Sequence, residues 1–292
     1  CGDLGAMCKE FCNFEGISID TFIDKNSEEI KKEPKWRDEK VENINILSQF
    51  DKKNVLIIIC IVNHPLKELF DIFYSRGFKN VVTFYDFAQV TKSIYPINNG
   101  WHCEFSYFSE LRFKKIINTL SDKVSQAHYT SFLAWRFFRH EIEFGDAPIV
   151  KDERFFIKEV LELQINDIHF IDVGAHHGEV TDRFIQSFGG DIKKVSCFEP
   201  DSANFSVLSR NVSLPPHLGG QITFFSDILW SRAETVNFSD GFNYASCIHT
   251  SGSARNATSL DALDLEPSFL KIHTEGSELE VLKGAIKTIK KK

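Results

Sequence analysis

The sequence has little that would place it in a membrane, in an oxidising compartment or on nucleic acid. Its longest apolar run, Val55 to Val62, is far shorter than the roughly 20 residues of a membrane-spanning helix. No secretory signal pattern is visible, and the seven cysteines are scattered with no C-x-x-C pair, which favours reduced thiols and a cytoplasmic location. A formal net charge of −7 and a pI near 5.8 disfavour nucleic acid as a partner.

What is present is the composition of a globular protein with more than one domain. Hydrophobic residues make up 42% and charged residues 26% of the 292 residues, enough for two separate cores. We expect a Rossmann-like α/β domain over residues 1–92, a helical connector or cap over 93–165 and a catalytic domain over 166–292. The chain starts without methionine and stops within a helix pattern that begins near Ser277, so we expect the sequence to be a fragment.

The first 92 residues alternate strand and helix patterns, which is typical of a small parallel sheet. Gly2, Gly5 and Asp24 resemble parts of a nucleotide-binding turn, although a glycine turn alone is weak evidence. The other interpretation of this domain is a structural or oligomerisation role. The predicted strands are 17–23, 55–62 and 81–85, and the predicted helix is 66–74.

The predicted connector contains a helix with an unusually aromatic face, which includes Tyr129, Phe132 and Phe138. Aromatic rings suit the apolar face of a sugar, so this helix could cover a substrate pocket. It could equally be core between the domains, and an aromatic stripe at helical spacing is more often core.

The strongest local pattern of the chain lies at residues 168–178, which read IHFIDVGAHHG. A short apolar run of this kind predicts a buried parallel strand, and a helix pattern begins at Glu179. Between them, Gly174, Ala175 and Gly178 predict a turn that lets backbone approach a ligand at the start of the helix. This strand, turn and helix predict a nucleotide-cofactor site.

Two carboxylates refine that prediction. The next predicted strand, residues 195–198, ends in Glu199, where an acidic residue can accept hydrogen bonds from ribose hydroxyls. Asp172 precedes the glycines in a D-x-G-x-x-x-G spacing. A carboxylate at this place suits a cofactor that carries a cationic amino-acid part better than a cofactor that carries a pyrophosphate. S-adenosylmethionine is such a cofactor.

A second motif lies at residues 269–285, FLKIHTEGSELEVLKGA. Together with the DVGAHHG turn, it resembles the FkbM family of methyltransferases, whose hallmarks are a DVGA-x-x-G turn, a strand-end I-D-x-E-G-x-E and a helix that closes in L-x-G-A. The resemblance covers roughly the last 140 residues, about one domain. It implies a class I methyltransferase fold, doubly wound around a mostly parallel sheet. Members of the family continue into further strands at the sheet edge, so the resemblance also implies that such strands lie outside this sequence.

The resemblance also implies a function and a site. The function is O-methylation, dependent on S-adenosylmethionine, of a hydroxyl on a sugar or glycan precursor. Asp172, Gly174, Ala175, Gly178, Glu199 and Asp227 are the predicted cofactor residues, with Asp227 beside the adenine. His273 stands where the family has aspartate and could act as a general base. Glu275 matches a motif acid of the family and is a second predicted catalytic residue. His177 is the third, because its place in the glycine turn could let it face the substrate.

Other functions remain open at this stage. The N-terminal glycine turn could serve a nucleotide-binding dehydrogenase-like protein, and the change at His273 could leave a silent scaffold of methyltransferase fold. We predict no metal site, because adjacent residues such as His176 and His177 rarely ligate one metal and no complementary ligand set is visible at the required spacing. The expected partner is a small-molecule or glycan acceptor, with oligomerisation possible through the N-terminal domain.

Overall fold

The structure, a computed structural model, describes the chain except residues 63, 92–94, 96, 98–106, 139, 151–153, 217–219, 242–245, 251 and 292, and the side chains of 107–109. The chain divides into two compact units. The first contains Cys1–Tyr95 and Trp101–Ile149, and the second contains Pro96–Gly100 and Val150–Lys292. The predicted connector is thereby shared between the two units. Cys103 and the start of the connector lie outside the described residues.

The first unit combines short strands with helices. Its two sheets are parallel pairs, β1 with β2 and β3 with β4. Single turns of 3₁₀ helix lie at Pro34–Trp36 and Ile44–Gln49. The elements are α1 (Asp3–Phe14), β1 (Phe22–Ile23), α2 (Ser27–Ile30), β2 (Val41–Glu42), β3 (Ile57–Ile59), α3 (Leu66–Tyr74), β4 (Val81–Thr83), α4 (Phe84–Thr91), α5 (Tyr107–Thr119) and α6 (Lys123–Phe138).

Apolar spacing explains most of this unit. Helix α3 has the predicted limits, and it buries Leu69 beside Ile59 and Val81 of the β3–β4 pair. The strands are shorter than predicted, since only part of each predicted range pairs with a neighbouring strand, and the last predicted strand gives way to α4 at Phe84. Gly5, one of the two glycines considered for a nucleotide turn, lies on α1 against the Trp36 indole.

Helices α5 and α6 bring aromatic residues together within the first unit. Phe113 and Phe137 contact each other with ring centroids 5.1 Å apart, and Tyr129 stacks on Phe132. Phe132 and Phe138 remain more than half exposed. The role of this aromatic face as a cover for a substrate pocket stays a prediction.

The second unit carries the predicted catalytic domain. A 3₁₀ turn at Gly189–Asp191 precedes its second strand, and another at Leu260–Ala262 precedes its last. The elements are α7 (Lys158–Leu161), β5 (Ile168–Val173), α8 (Glu179–Phe188), β6 (Ile192–Phe198), α9 (Ser202–Asn211), β7 (Gln221–Phe225), β8 (Ile228–Leu229), β9 (Glu234–Ser239), β10 (Cys247–Ile248), β11 (Ser253–Thr258), β12 (Phe269–Ile272), α10 (Glu278–Lys283) and α11 (Ile286–Lys290).

The main sheet of this unit is parallel, with the strand order β12-β5-β6-β7. Strand β5 is buried at every position, because both faces of the sheet are covered. On one face Phe170 packs with Phe184 of α8 and Leu208 of α9, and on the other Ile171 packs with Val281 of α10. The prediction of an α/β fold with a parallel sheet is confirmed.

A second, smaller sheet has the strand order β10-β9-β11-β8. Asp201 contacts both the start of α9 and residues next to this smaller sheet. Its Oδ1 accepts hydrogen bonds from the N–H groups of Ala203 and Asn204 and so caps α9, while its Oδ2 accepts from Gly241 and Ser246. One carboxylate therefore holds both the start of α9 and the two residues Gly241 and Ser246.

Within the described ranges of both units, none of the helices combines the length and the apolar character needed to cross a membrane.

Candidate functional site

A cavity opens at the carboxyl ends of the parallel strands in the second unit. Glu199 follows β6, Asp227 follows β7 and His273 follows β12, and all three line it. The glycine turn after β5 forms its floor. Parallel strands place their carboxyl ends on the same edge of a sheet, which is where open α/β sheets bind ligands. The sequence motifs are therefore brought together as predicted, on one side of the sheet.

The two glycines of the turn are required by contacts within the protein. Gly174 has a φ of +74° and Gly178 a φ of +92°, which is left-handed backbone that favours glycine. A Cβ at Gly174 would overlap with the carbonyl oxygen of His273, and one at Gly178 with the side chain of Val212. Gly178 does not lie at the cavity wall, so its predicted contact with a cofactor is corrected to packing against α9 and its end.

The N–H groups of the turn are also engaged by the protein. Gly174 and Ala175 both donate to the carbonyl oxygen of Phe198, at 2.9 and 3.0 Å, and His176 donates to Glu199. In sites that bind a pyrophosphate, such groups point at the ligand. This turn instead presents a closed backbone surface, with Gly174 and Ala175 at the cavity wall.

Asp172 lies beneath the cavity and not in its wall. The side chain is fully buried, and its oxygens accept hydrogen bonds from the Lys271 ammonium at 2.6 Å and the Thr181 hydroxyl at 2.7 Å. Lys271 also donates to the carbonyl oxygen of Gly174 at 2.8 Å. The expectation that Asp172 faces a cationic cofactor is corrected, because Lys271 neutralises its charge. In this arrangement Asp172 holds the Lys271 ammonium, which also contacts the turn at Gly174.

Glu199 is a buried carboxylate that faces the cavity. Only 6% of the residue is exposed, and it accepts hydrogen bonds from the N–H groups of His176 at 2.7 Å and Asp201 at 3.0 Å. Burial raises the pKa of its carboxyl to about 7, although these two hydrogen bonds oppose the shift. Since each carboxylate oxygen can accept more than one hydrogen bond, Glu199 retains capacity for a ligand.

The two histidines of the turn have different positions. His176 has a φ of +50° and lines the cavity, whereas His177 stacks behind it with ring centroids 3.8 Å apart. The Nε2 atom of His177 lies 3.1 Å from the side-chain oxygen of Asn204 on α9. The prediction that His177 faces the substrate is corrected, because His176 occupies that place. The left-handed backbone also brings His176, His177 and Glu179 near enough to offer three potential metal ligands within 4.8 Å of one another, which the sequence analysis did not anticipate.

His273 is held as a neutral acceptor. Its Nε2 atom lies 3.1 Å from Nη2 of Arg154, and because a guanidinium only donates, Nε2 accepts and the ring proton lies on Nδ1. Burial, together with the charges of Arg154 and Lys271, lowers the pKa of His273 to about 4. A neutral ring whose accepting nitrogen is engaged is poorly suited to act as a general base near neutral pH. This geometry favours a positioning role for His273, and its role as a general base stays a prediction.

Glu275 is the acidic residue of the second motif that reaches the cavity. It has a φ of +51°, and its Oε1 atom lies 3.6 Å from Nε2 of His273. Glu278 instead shapes the loop, because its carboxylate accepts hydrogen bonds from the N–H groups of Thr274 and Gly276. The catalytic role of Glu275 stays a prediction, and its position at the cavity wall is compatible with it.

The remaining walls are partly apolar. Phe198, Ile228 and Leu229 form a hydrophobic side next to Asp227, whose side chain is exposed at the cavity edge. An apolar side next to an exposed carboxylate suits a flat heterocycle that carries an amino group. The placement of the adenine beside Asp227 stays a prediction.

Sequence reasoning missed two basic residues of the site. Arg154 lies 119 residues before His273 and belongs to no motif, so nothing in its surroundings identified it. Lys271 did carry a signal. It is a charged residue inside the apolar strand β12, in register with Asp172 inside β5, and two opposite charges in neighbouring buried strands are expected to pair.

The fold and the site define a class of protein. A glycine turn between a buried strand and a helix, an acidic residue after the next strand and a cavity at the carboxyl edge are the features of α/β domains that bind nucleotide-derived cofactors. Residues 172–292 match the family model described as the methyltransferase FkbM domain. This match supports an FkbM-family methyltransferase.

A solved structure supports the same fold. The crystal structure of the methyltransferase FkbM from Methylobacillus flagellatus KT is similar with a TM-score of 0.65 and 16% sequence identity, over 94% of this chain and 71% of that chain. At this identity the likeness concerns the fold alone. A search among curated protein sequences gave no significant match.

Proposed function

We propose that the second unit binds S-adenosylmethionine in this cavity and catalyses methyl transfer to a hydroxyl group of a sugar or glycan precursor. The observation that carries the cofactor is Glu199, a buried carboxylate that faces the cavity at the end of the strand following the glycine turn. Two vicinal ribose hydroxyls can donate to one carboxylate, so its position suits a nucleoside. Oxygen as the acceptor atom and carbohydrate as the acceptor class come from the family resemblance.

The residues present fit this cofactor. The apolar side formed by Phe198, Ile228 and Leu229 suits an adenine ring, with Asp227 as acceptor for its amino group. The closed turn at Gly174 and Ala175 suits a ligand without a pyrophosphate. The bound cofactor would supply an electrophilic methyl group on a sulfonium.

The protein's part in the reaction is to place an acceptor oxygen and to receive its proton. A hydroxyl is a weak nucleophile until its proton has an acceptor. Of the two predicted catalytic residues that reach the cavity, Glu275 has an accepting carboxylate there, whereas Nε2 of His273 is engaged by Arg154. We therefore assign the proton acceptor to Glu275 and a positioning role to His273.

Calorimetric titration tests the cofactor assignment directly. S-adenosylmethionine and S-adenosylhomocysteine should bind the 292-residue chain, whereas NAD should not, and Glu199→Ala should weaken binding by about 1.5–3 kcal/mol without unfolding the protein. Binding of NAD alone would favour a dehydrogenase-like protein. Absence of binding by all three ligands would leave a silent scaffold.

The acceptor class requires a separate measurement. Candidate nucleotide sugars are incubated with the protein and methyl-labelled S-adenosylmethionine, and the products are analysed by mass spectrometry. A mass increase of one methyl group on a sugar, absent with Glu275→Gln, would support both the acceptor class and the assigned proton acceptor. Transfer at an unchanged rate by Glu275→Gln would refute the assignment to Glu275.

A further inference from the structure

Arg154 stands apart from the other basic residue that lines the cavity. The Lys271 ammonium is engaged within the protein, since it donates hydrogen bonds to Asp172 and to the carbonyl oxygen of Gly174, and its side chain is only 9% exposed. Arg154 is exposed and has no carboxylate within ion-pair distance in the described part of the chain. It contacts the neutral ring of His273 and the ring of Phe155.

The geometry leaves Arg154 able to bind a ligand. The hydrogen bond to His273 uses Nη2, and a guanidinium carries further N–H donors on Nη1 and Nε. The guanidinium carbon lies 4.8 Å from the centroid of the Phe155 ring, an arrangement that supports the planar group from one side. Arg154 is therefore oriented by two neighbours while donors remain available at the cavity wall.

The shape of the available donors selects the ligand. A guanidinium binds planar oxyanions through two parallel N–H···O bonds, and a carboxylate matches this fork. A vicinal diol can also accept two hydrogen bonds, but it carries no negative charge, so a carboxylate binds more strongly. In the loop after β12, the Glu275 carboxylate lies 3.6 Å from Nε2 of His273.

We propose that Arg154 is the anion-binding residue of the cavity and that it binds a carboxylate of a ligand of the methyl-transfer reaction. The inference rests on the proposed function. Two ligands could supply this group. One is the α-carboxylate of S-adenosylmethionine, and the other is the carboxylate of an acidic acceptor, such as a uronic acid.

The first arm of the test concerns the cofactor. Wild type and Arg154→Gln are titrated with S-adenosylmethionine and with its decarboxylated analogue, which lacks only the carboxylate. If the cofactor supplies the group, Arg154→Gln should weaken binding of S-adenosylmethionine about tenfold and leave binding of the analogue unchanged. Arg154→Lys should recover part of the loss, because it keeps the charge but loses the fork.

The second arm concerns the acceptor. Glucuronate and glucose, which differ by a carboxylate in place of a hydroxymethyl group, are added to the protein with and without saturating S-adenosylhomocysteine, and binding is followed by ligand-observed NMR. If the acceptor supplies the group, wild type should bind glucuronate in preference to glucose, and Arg154→Gln should lose that preference.

Arg183→Gln is the matched control. Arg183 is also exposed and also lies over a phenylalanine ring, 4.6 Å from the centroid of Phe156, but it does not line the cavity. Its replacement should change neither arm, and thermal unfolding of all variants should show that they are folded.

The outcomes separate the two proposals. Failure of wild type to bind S-adenosylmethionine would overturn the proposed function, and the arm without cofactor would still report on Arg154. Suppose that wild type binds the cofactor. If Arg154→Gln then changes neither the preference for S-adenosylmethionine over its decarboxylated analogue nor the preference for glucuronate over glucose, the role of Arg154 is refuted. A loss of the same size with Arg183→Gln would also refute it, since it would reflect surface charge alone.

Discussion

Binding of S-adenosylmethionine should depend on pH through Glu199, and Glu199→Gln should remove that dependence. Burial raises the pKa of the Glu199 carboxyl to about 7. Hydroxyl donors bind an ionised carboxylate more strongly than a protonated one. Affinity should therefore rise with pH until Glu199 is ionised and then level off.

The magnitude follows from the position of this pKa. A ligand that binds only the ionised form loses affinity tenfold for each pH unit below the pKa. Between about pH 8 and about pH 5.5 the dissociation constant should increase about 30-fold, which corresponds to ~2 kcal/mol. Most of this change falls below pH 7, so measurements near pH 6 are the most informative.

Calorimetry in two buffers with different heats of ionisation counts the protons exchanged on binding. Near pH 6, where Glu199 is mostly protonated in the free protein, wild type should release about one proton per bound cofactor. Glu199→Gln should release none from this position, and it should keep the shape of the side chain. The difference between wild type and variant cancels the titration of the cofactor's own amino group. An identical proton count in the two proteins would refute the reasoning.

The same group makes a prediction about stability. The folded-state pKa of Glu199 is raised from its ordinary value of 4.5, so its contribution to stability is present below about pH 4.5 and is lost as pH rises through about 7. The full loss corresponds to roughly 3 kcal/mol. The free energy of unfolding of wild type, measured relative to Glu199→Gln, should fall across this range, and a flat difference would contradict the assigned pKa.

Three further substitutions test the packing of the site by urea or thermal unfolding. Gly178→Ala should lower stability by about 1–3 kcal/mol because its Cβ would overlap with Val212 in left-handed backbone, whereas Gly190→Ala, with open space around it, should be nearly neutral. Lys271→Met should cost about 3–5 kcal/mol, because it leaves the buried Asp172 carboxylate without its counter-charge. Asp201→Ala should lower stability by about 1–2 kcal/mol through loss of the cap on α9. Apart from the control Gly190→Ala, an unchanged unfolding midpoint in any of these variants would contradict the contact that the variant removes or disturbs.

The sequence predicted the strands and helices that carry long-range apolar patterns. Strand β5 was recognised because an apolar run followed by glycines is typical of a buried parallel strand, and the α8 pattern was recognised because its apolar residues recur at helical spacing. The two-residue strands β1 and β2 were not predictable to their limits, since tertiary pairing decides where such short ladders begin and end.

The site was predicted in its location but less well in its residue roles. Motif spacing placed Glu199 and Glu275 near the cavity, because parallel strands end on the same edge. It could not show that Asp172 is neutralised by Lys271, since that pairing depends on the register of β5 and β12. Nor could it show which of His176 and His177 faces the cavity. The backbone at His176 is left-handed, which changes the directions in which the two neighbouring side chains point.

The strand order of the main sheet has a consequence for the folding of the chain during synthesis. Strand β12 pairs with β5, and Lys271 follows Asp172 by 99 residues. Until β12 has been made, one edge of β5 has no partner strand from this pair, and the Asp172 carboxylate has no counter-charge from Lys271. An apolar strand with an open edge is prone to pair with other chains. Slow synthesis or truncation before residue 269 should therefore favour aggregation. Replacement of Asp172 with a neutral residue should change the extent of aggregation of the incomplete chain.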